Sequence, residues 1–224
     1  MKPSSYPCPL PDGSSADEYA LVHDQGAAQR LLIIPALFDE GHRLRRLCVD
    51  VMQRLGGSGI DSMLPDLPGS NESRADLASL SVADWTKAVS AAARQFGASH
   101  VLAVRGGGLV VPPGLAGWHY GPVKGATLLR TLIRARVLSS REAGREESGE
   151  GLLIEAQEHG IELAGYRLGA AMVQQLQAAL PAEDLREIDQ DLLAGSPLWL
   201  PAEPDADAAQ ADALAVYLTM AIRG

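Results

Sequence analysis

The stretch "HVLAVRGGGLVVPP", residues 100 to 113, decides the fold class of this 224-residue chain. Residues 101–104 are a continuous apolar run, which is typical of a strand buried on both faces of a sheet. Arg105 and three glycines follow and predict a tight turn. The apolar residues after the glycines predict a short helix, which Pro112 and Pro113 limit to about two turns because proline interrupts a helix interior.

Strand and helix patterns alternate on both sides of this stretch. "RLLIIPALF" (30–38) predicts a second buried strand, and an apolar stripe through residues 44–55 predicts a helix that Gly56 and Gly57 end. Such alternation predicts a single α/β domain over residues 18–224, with a mostly parallel sheet, helices on both faces and no large lid. The other expected strands are at 18–23, within 60–73, within 117–123 and at 161–168. The other expected helices are after the N-cap Ser81, through 128–137, through 168–180 and at 211–224. A surface loop is expected at 140–151.

Composition restricts the setting and the partners of the chain. Residues 1–17 are rich in Pro, Ser and Gly and lack an apolar signal region, so we expect a mobile tail and not a secretory signal. No run approaches the ~20 apolar residues of a membrane span. The two cysteines give no disulfide framework, and we expect a cytoplasmic protein. A net charge of −9 argues against nucleic-acid binding. Cys8 and Cys48 have neither disulfide nor metal-site spacing, and we expect no metal or cofactor.

The strand-to-turn pattern at 100–113 is also how α/β-hydrolases present a catalytic nucleophile, but the expected chemistry is missing. A guanidinium such as that of Arg105 stays charged and cannot act as nucleophile or base near neutral pH. Gly106, one residue later, has no side chain to attack with. The expected histidine loop, around 195–205, contains none, because the five histidines are His23, His42, His100, His119 and His159.

Five motifs, in order along the chain, resemble the exosortase-A-system-associated hydrolases of the second type. The resemblance implies a degenerate α/β-hydrolase fold and an association with exosortase (PEP-CTERM) and exopolysaccharide loci of Gram-negative bacteria. The family turn has the form Gly-x-Arg-x-Gly, so the arginine is a feature of the family, whereas Ala103 and Tyr120 replace its usual glycine and tryptophan. Fold alone does not establish hydrolysis. The motifs are "PALFDEGHRLRR" (35–46), "LPDLPGSNES" (64–73), "AVRGG" (103–107), "YGPVKGATLLRTLIRARVLSSREAG" (120–144) and "IELAGYRLGAAM" (161–172).

Arg105 is the first candidate for a ligand site. Its side chain is expected at the carboxyl edge of the sheet, where α/β proteins bind ligands. Together with the amides of Gly106 and Gly107 and with Asp66, it predicts a site for phosphate, a carboxylate or an acidic sugar. The alternative is an internal salt bridge from Arg105 to Asp39, Glu40 or Asp66.

Catalytic candidates are weaker. Asp39 and Glu40 form an acidic pair, although adjacent side chains usually point apart. His42 and Ser70 are candidates for a relocated site, although a solvated histidine and a turn-forming serine explain them as well. Arg130, Arg134 and Arg141 indicate a solvated helix face or a surface for an acidic partner. Three functions stay open: a protein that binds an anionic ligand or glycan, an unusual hydrolase of a polysaccharide or lipid-linked intermediate, and a scaffold for envelope or export machinery.

Overall fold

The computed structural model describes residues 1–193, 195–201 and 206–224. Within them, a seven-stranded sheet carries helices on both faces, and a separate two-stranded hairpin lies beside it. The strands are β1 (Lys2–Pro9), β2 (Ser15–His23), β3 (Arg30–Ile34), β4 (Asp61–Pro65), β5 (His100–Val104), β6 (Gly117–Tyr120), β7 (Ile161–Leu163), β8 (Tyr166–Leu168) and β9 (Arg186–Ile188). The α-helices are α1 (Asp39–Gly57), α2 (Val82–Phe96), α3 (Gly125–Glu142), α4 (Gly149–His159), α5 (Ala170–Ala178) and α6 (Ala208–Arg223).

The main sheet has the strand order β1-β2-β4-β3-β5-β6-β9. Strands β4, β3, β5, β6 and β9 are parallel to one another, while β1 and β2 form an antiparallel hairpin at one edge. This arrangement confirms the predicted mostly parallel sheet.

The central strands bury both of their faces, which explains their continuous apolar runs. In β3, Leu32 and Ile34 face a core formed with α2, α3, α4 and α5, and Leu31 and Ile33 face a second core formed with α1 and α6. On the first side, α2 begins at the predicted cap. The Ser81 hydroxyl and the Asp84 carboxylate form a reciprocal capping box there, which satisfies backbone amides at the helix start.

The expectation of a mobile tail at residues 1–17 is wrong. Residues 2–9 form β1, which pairs with β2 along its whole length. Tyr6 and Cys8 alternate toward the core and are buried, and the Tyr6 hydroxyl donates a hydrogen bond to the Asp66 carbonyl at 2.7 Å. Prolines are tolerated because β1 is an edge strand, where a missing amide donor need not face a neighbour.

Other boundaries also differ from the sequence predictions. Residues 161–168 form two short strands, β7 and β8, joined by Ala164 and Gly165, both at positive φ. The surface loop expected at 140–151 shrinks because α3 extends to Glu142 and α4 begins at Gly149. The short helix expected after the glycines is a five-residue 3₁₀ turn, Arg105–Leu109. The sequence patterns did not predict strand β9. Residues 202–205, within the loop expected to carry a histidine at 195–205, lie outside the described residues.

The register of the parallel strands gathers several loops at one edge of the sheet. Ile34 pairs with Ala103, and Val104 pairs with Tyr120, so β3, β5 and β6 end side by side. The segments that follow them therefore lie together at the carboxyl edge, as predicted for a ligand site in an α/β sheet. None of the helices in the described residues is long and apolar enough to cross a membrane.

Candidate functional site

Arg105 lies on a strained turn directly after β5. Its φ is 51°, in the left-handed region that costs a non-glycine residue roughly 1–3 kcal/mol. The glycines after it are required by close packing. A Cβ atom on Gly107 would lie 2.6 Å from the carbonyl oxygens of Ile34 and Pro35. The turn is therefore packed directly against the end of β3.

The guanidinium of Arg105 is held by three different groups. Its Nε and Nη2 atoms donate to the two carboxylate oxygens of Glu40, at 3.1 and 2.9 Å. Its Nη1 atom donates to the carbonyl of Gly121 at 2.8 Å. The guanidinium carbon lies 4.3 Å from the ring centroid of Trp199, within the range of a cation–π contact. Among the carboxylates considered from the sequence, Glu40 is therefore the salt-bridge partner of Arg105.

A cleft opens along the segment that follows β3, and neither Arg105 nor Glu40 is among the residues that line it. We call it the Phe38 cleft, because Phe38 joins its two walls and lies 5.7 Å from Trp85 and 5.2 Å from Tyr166 between ring centroids. Phe38 has a φ of 57° and is thus a second strained residue at this edge. The cavity has a volume of about 100 Å³. Its polar lining consists of His42, Arg45, Ser70 and Asn71.

Asp66 lies directly behind the polar wall of the Phe38 cleft. Its Oδ1 atom accepts hydrogen bonds from Arg45 at 2.7 Å and from Asn71 at 2.8 Å. The residue is 1% exposed, and its Oδ2 atom is buried without a hydrogen-bond partner among the described residues. Asp66 is therefore a buried carboxylate that fixes two lining side chains and retains one free acceptor.

The four catalytic candidates do not form a connected relay. The Ser70 hydroxyl donates to the Leu67 carbonyl at 2.6 Å, and no hydrogen bond joins it to His42, although both residues line the cleft. Asp39 and Glu40 point apart: Asp39 accepts a hydrogen bond from the Tyr166 hydroxyl at 3.0 Å, while Glu40 binds Arg105. Burial and the neighbouring Asp39 carboxylate raise the pKa of Tyr166, which keeps its hydroxyl a proton donor.

Two other features of the described residues bear on chemistry. His119 is buried against Gly108, and its Nε2 atom lies 2.7 Å from the Ala182 carbonyl. It is not among the residues that line the Phe38 cleft. No group of three or more His, Cys, Asp or Glu side chains is placed to hold a metal ion in the ranges that the structure covers.

Sequence reasoning placed Asp39, Glu40, His42, Asp66, Ser70 and Arg105 at this edge but missed several of their partners. Tyr166 and Trp199 come from distant segments, and only the Ala-Gly-Tyr motif drew attention to the first of them. Asn71 carries a detectable signal, because an asparagine two residues after Gly69 is typical of a turn. Its φ of 47° agrees with this interpretation.

Comparison with solved structures identifies the fold. The chain is similar to Est1E from Butyrivibrio proteoclasticus, solved with ferulic acid bound, with a TM-score of 0.53 and 16% identity over 78% of this chain and 70% of that one. It is also similar to a putative hydrolase from Agrobacterium vitis S4, with a TM-score of 0.49 and 14% identity over 100% of this chain and 98% of that one. No protein-family model matches the sequence, and no curated protein matches it significantly. The similarity to Est1E, together with the mostly parallel sheet, shows that the chain has an α/β-hydrolase-like fold.

Proposed function

We propose that this protein binds an anionic glycan or a related anionic small molecule and does not hydrolyse esters by a serine mechanism. One observation carries the proposal: the side chain on the strained turn after β5 is an arginine held by both oxygens of Glu40. A hydrolase of this fold needs a nucleophile on that turn. A guanidinium that is permanently charged and paired with a carboxylate cannot attack an acyl carbon.

We further propose that one sugar ring of the ligand binds at the Phe38 cleft, whose volume of about 100 Å³ is too small to enclose a whole oligosaccharide. The Phe38 and Tyr166 rings offer apolar surface to a sugar ring, while Asn71 and Ser70 offer polar groups to its hydroxyls. Arg45 supports an acidic sugar through hydrogen bonding, because Asp66 takes its Nη1 atom and the rest of the guanidinium can still donate to a sugar carboxylate. Arg105 then acts indirectly, since its bond to Glu40 holds the first turn of α1 beside the cleft. The resemblance to the exosortase-associated family supports a polysaccharide ligand, a cytoplasmic location and a partner in the envelope or export machinery.

Binding of an anion by Arg105 itself, with the Gly106 and Gly107 amides, is the second candidate. Asp66, which the sequence grouped with them, instead binds Arg45 and Asn71. A guanidinium has five N–H donors, and three of them are used by Glu40 and Gly121. An anion would then replace Glu40. The variant Glu40→Gln distinguishes the two candidates, because it weakens the ion pair between Glu40 and Arg105. It should strengthen sulfate binding only if Arg105 is the anion site.

The test is calorimetric titration with oligogalacturonate, an acidic glycan, and with a neutral oligosaccharide of the same length. We expect the acidic glycan to bind more tightly, and we expect His42→Ala and Asn71→Ala to weaken its binding. His159→Ala is the matched control, because His159 is an exposed histidine outside the cleft lining. The proposal that the glycan binds in the cleft is contradicted if the acidic glycan does not bind, or if His159→Ala loses as much affinity as the cleft variants.

Activity is tested on short p-nitrophenyl esters. We expect no turnover above that of buffer. Robust turnover that a serine-directed fluorophosphonate abolishes would overturn the proposal. Turnover that Asp39→Asn, Glu40→Gln, His42→Ala or Ser70→Ala removes from a folded protein would establish instead a hydrolase with a relocated site.

A further inference from the structure

A larger groove lies between α3 and α4, far larger than the Phe38 cleft and with no lining residue in common. Its volume is about 580 Å³, within the range of small-molecule sites in proteins. Leu138 is 59% exposed there, although a large aliphatic side chain is usually buried. The apolar part of the lining consists of Ala126, Leu129, Ile133, Val137, Leu138 and Leu153.

Three arginines of α3 border this apolar surface. Arg130, Arg134 and Arg141 lie at positions i, i+4 and i+11, which places them within about 40° of one another around a helix of 3.6 residues per turn. All three are exposed, and none forms a salt bridge with another described residue. By contrast, Arg136 on the same helix binds Glu147 with Nε and Nη2, both at 2.9 Å.

The rim of the groove is therefore cationic on a protein whose net charge is −9. Glu150 is the one carboxylate in its lining. Arg130 and Arg134 are one turn apart, a spacing at which like charges repel each other. An anion held between them would relieve this repulsion and would gain charge-assisted hydrogen bonds.

We propose that this groove binds a free single-chain anionic amphiphile, that is, an alkyl chain with a carboxylate or phosphate head. The alkyl chain would cover Leu129, Ile133 and Leu153, and the head would contact the arginines. A concave, ligand-sized groove favours a single molecule over a bilayer surface, since helices that lie on bilayers bury a projecting apolar face. Its volume of about 580 Å³ is that of a small-molecule site, which favours an alkyl chain over a partner helix.

The experiment measures binding of dodecanoate below its micelle concentration by isothermal titration calorimetry, with dodecanol as the uncharged probe. We expect dodecanoate to bind, and dodecanol to bind about tenfold more weakly because it lacks the charge-assisted contacts. The triple variant Arg130→Gln, Arg134→Gln, Arg141→Gln should weaken dodecanoate binding by a similar factor and leave dodecanol binding unchanged.

The matched control is Arg74→Gln, Arg94→Gln, Arg186→Gln, which removes the same number of exposed arginines outside the groove. It should bind dodecanoate as the natural sequence does, and circular dichroism should show that both triple variants are folded. The inference is overturned if the two probes bind equally, if the control loses as much affinity as the groove variant, or if neither probe binds. Binding to phosphatidylglycerol vesicles without binding of free dodecanoate would overturn it too and would assign the arginines to a membrane surface.

Discussion

At the scale of single residues, Arg105 combines a strained backbone with a side chain that is held by three neighbouring groups. A non-glycine residue persists at positive φ only where its surroundings determine that conformation. Here Glu40, Gly121 and Trp199 fix the guanidinium from three directions. The pair with Glu40 is also shielded from solvent, with the two side chains 13% and 19% exposed. The ionic contacts thus compensate for the strain of the turn.

We expect Arg105→Ala to lower the free energy of unfolding by about 2–3 kcal/mol, because Glu40 is left largely buried without its partner. Arg105→Gly should be more stable than Arg105→Ala by about 1 kcal/mol, since glycine adopts positive φ without the steric cost that alanine carries. Urea denaturation at neutral pH measures both values. Equal unfolding free energies of the two variants would show that the turn carries no backbone strain. If Arg105→Ala has the unfolding free energy of the natural sequence, the ion pair contributes nothing to stability.

At the scale of elements, sequence patterns predicted the strands that are buried on both faces and the helix whose cap and apolar stripe are local in the sequence. Strands β3 and β5 were visible as apolar runs, and α2 was visible through Ser81 and its apolar stripe. Helix α4 was missed because its glycine-rich start and its weak amphipathic pattern give little periodic signal. The β7–β8 hairpin was merged into one strand because its turn has alanine at the first positive-φ position, where asparagine, aspartate or glycine is usual.

The candidate site was likewise predicted only as far as local sequence patterns extend. The patterns placed Asp39, Glu40 and Arg105 at one edge of the sheet, since the ends of parallel strands are known once the strands are known. They left open which carboxylate binds the arginine, because that depends on the direction of side chains in the first turn of α1. The contacts of Trp199 depend on long-range packing, which has no local signal in the sequence.

The contact between the turn after β5 and the end of β3 gives a prediction at this scale. Gly107→Ala would place a Cβ atom 2.6 Å from two backbone carbonyl oxygens, so the turn or β3 must shift. We expect this variant to lose about 3 kcal/mol of unfolding free energy, the upper end of the usual cost of overpacking, because rigid backbone cannot move aside as a side chain can. Gly57→Ala at the end of α1 is the control, because its added Cβ atom would meet no heavy atom within 4 Å.

Thermal denaturation followed by circular dichroism compares the two glycine variants. The control should keep the melting temperature of the natural sequence within a few degrees, since surface substitutions usually change stability by no more than about 0.5 kcal/mol. A Gly107→Ala protein as stable as the control would show that the turn and β3 are loosely packed.

At the scale of the whole molecule, the sheet separates two cores, and each contains one cysteine. Cys8 lies on β1, in the core covered by α2 and α5, and Cys48 lies on α1, in the core shared with α6. Both thiols are buried. Burial raises the pKa of Cys8 to about 11 and that of Cys48 to about 12, so neither forms the reactive thiolate at neutral pH.

The two thiols therefore report on how each side of the molecule opens. Cys8 is on an edge strand that pairs with β2 alone, and such a strand opens locally at a lower free energy than the central elements of a sheet. Cys48 is on a nineteen-residue helix that packs against the sheet and α6. We expect iodoacetamide at pH 8 to label Cys8 first, with a weak dependence on urea, and Cys48 only by global unfolding, with a steep dependence. Mass spectrometry of the two peptides measures the rates, and equal rates with equal urea dependence would show that β1 opens only when the whole sheet unfolds.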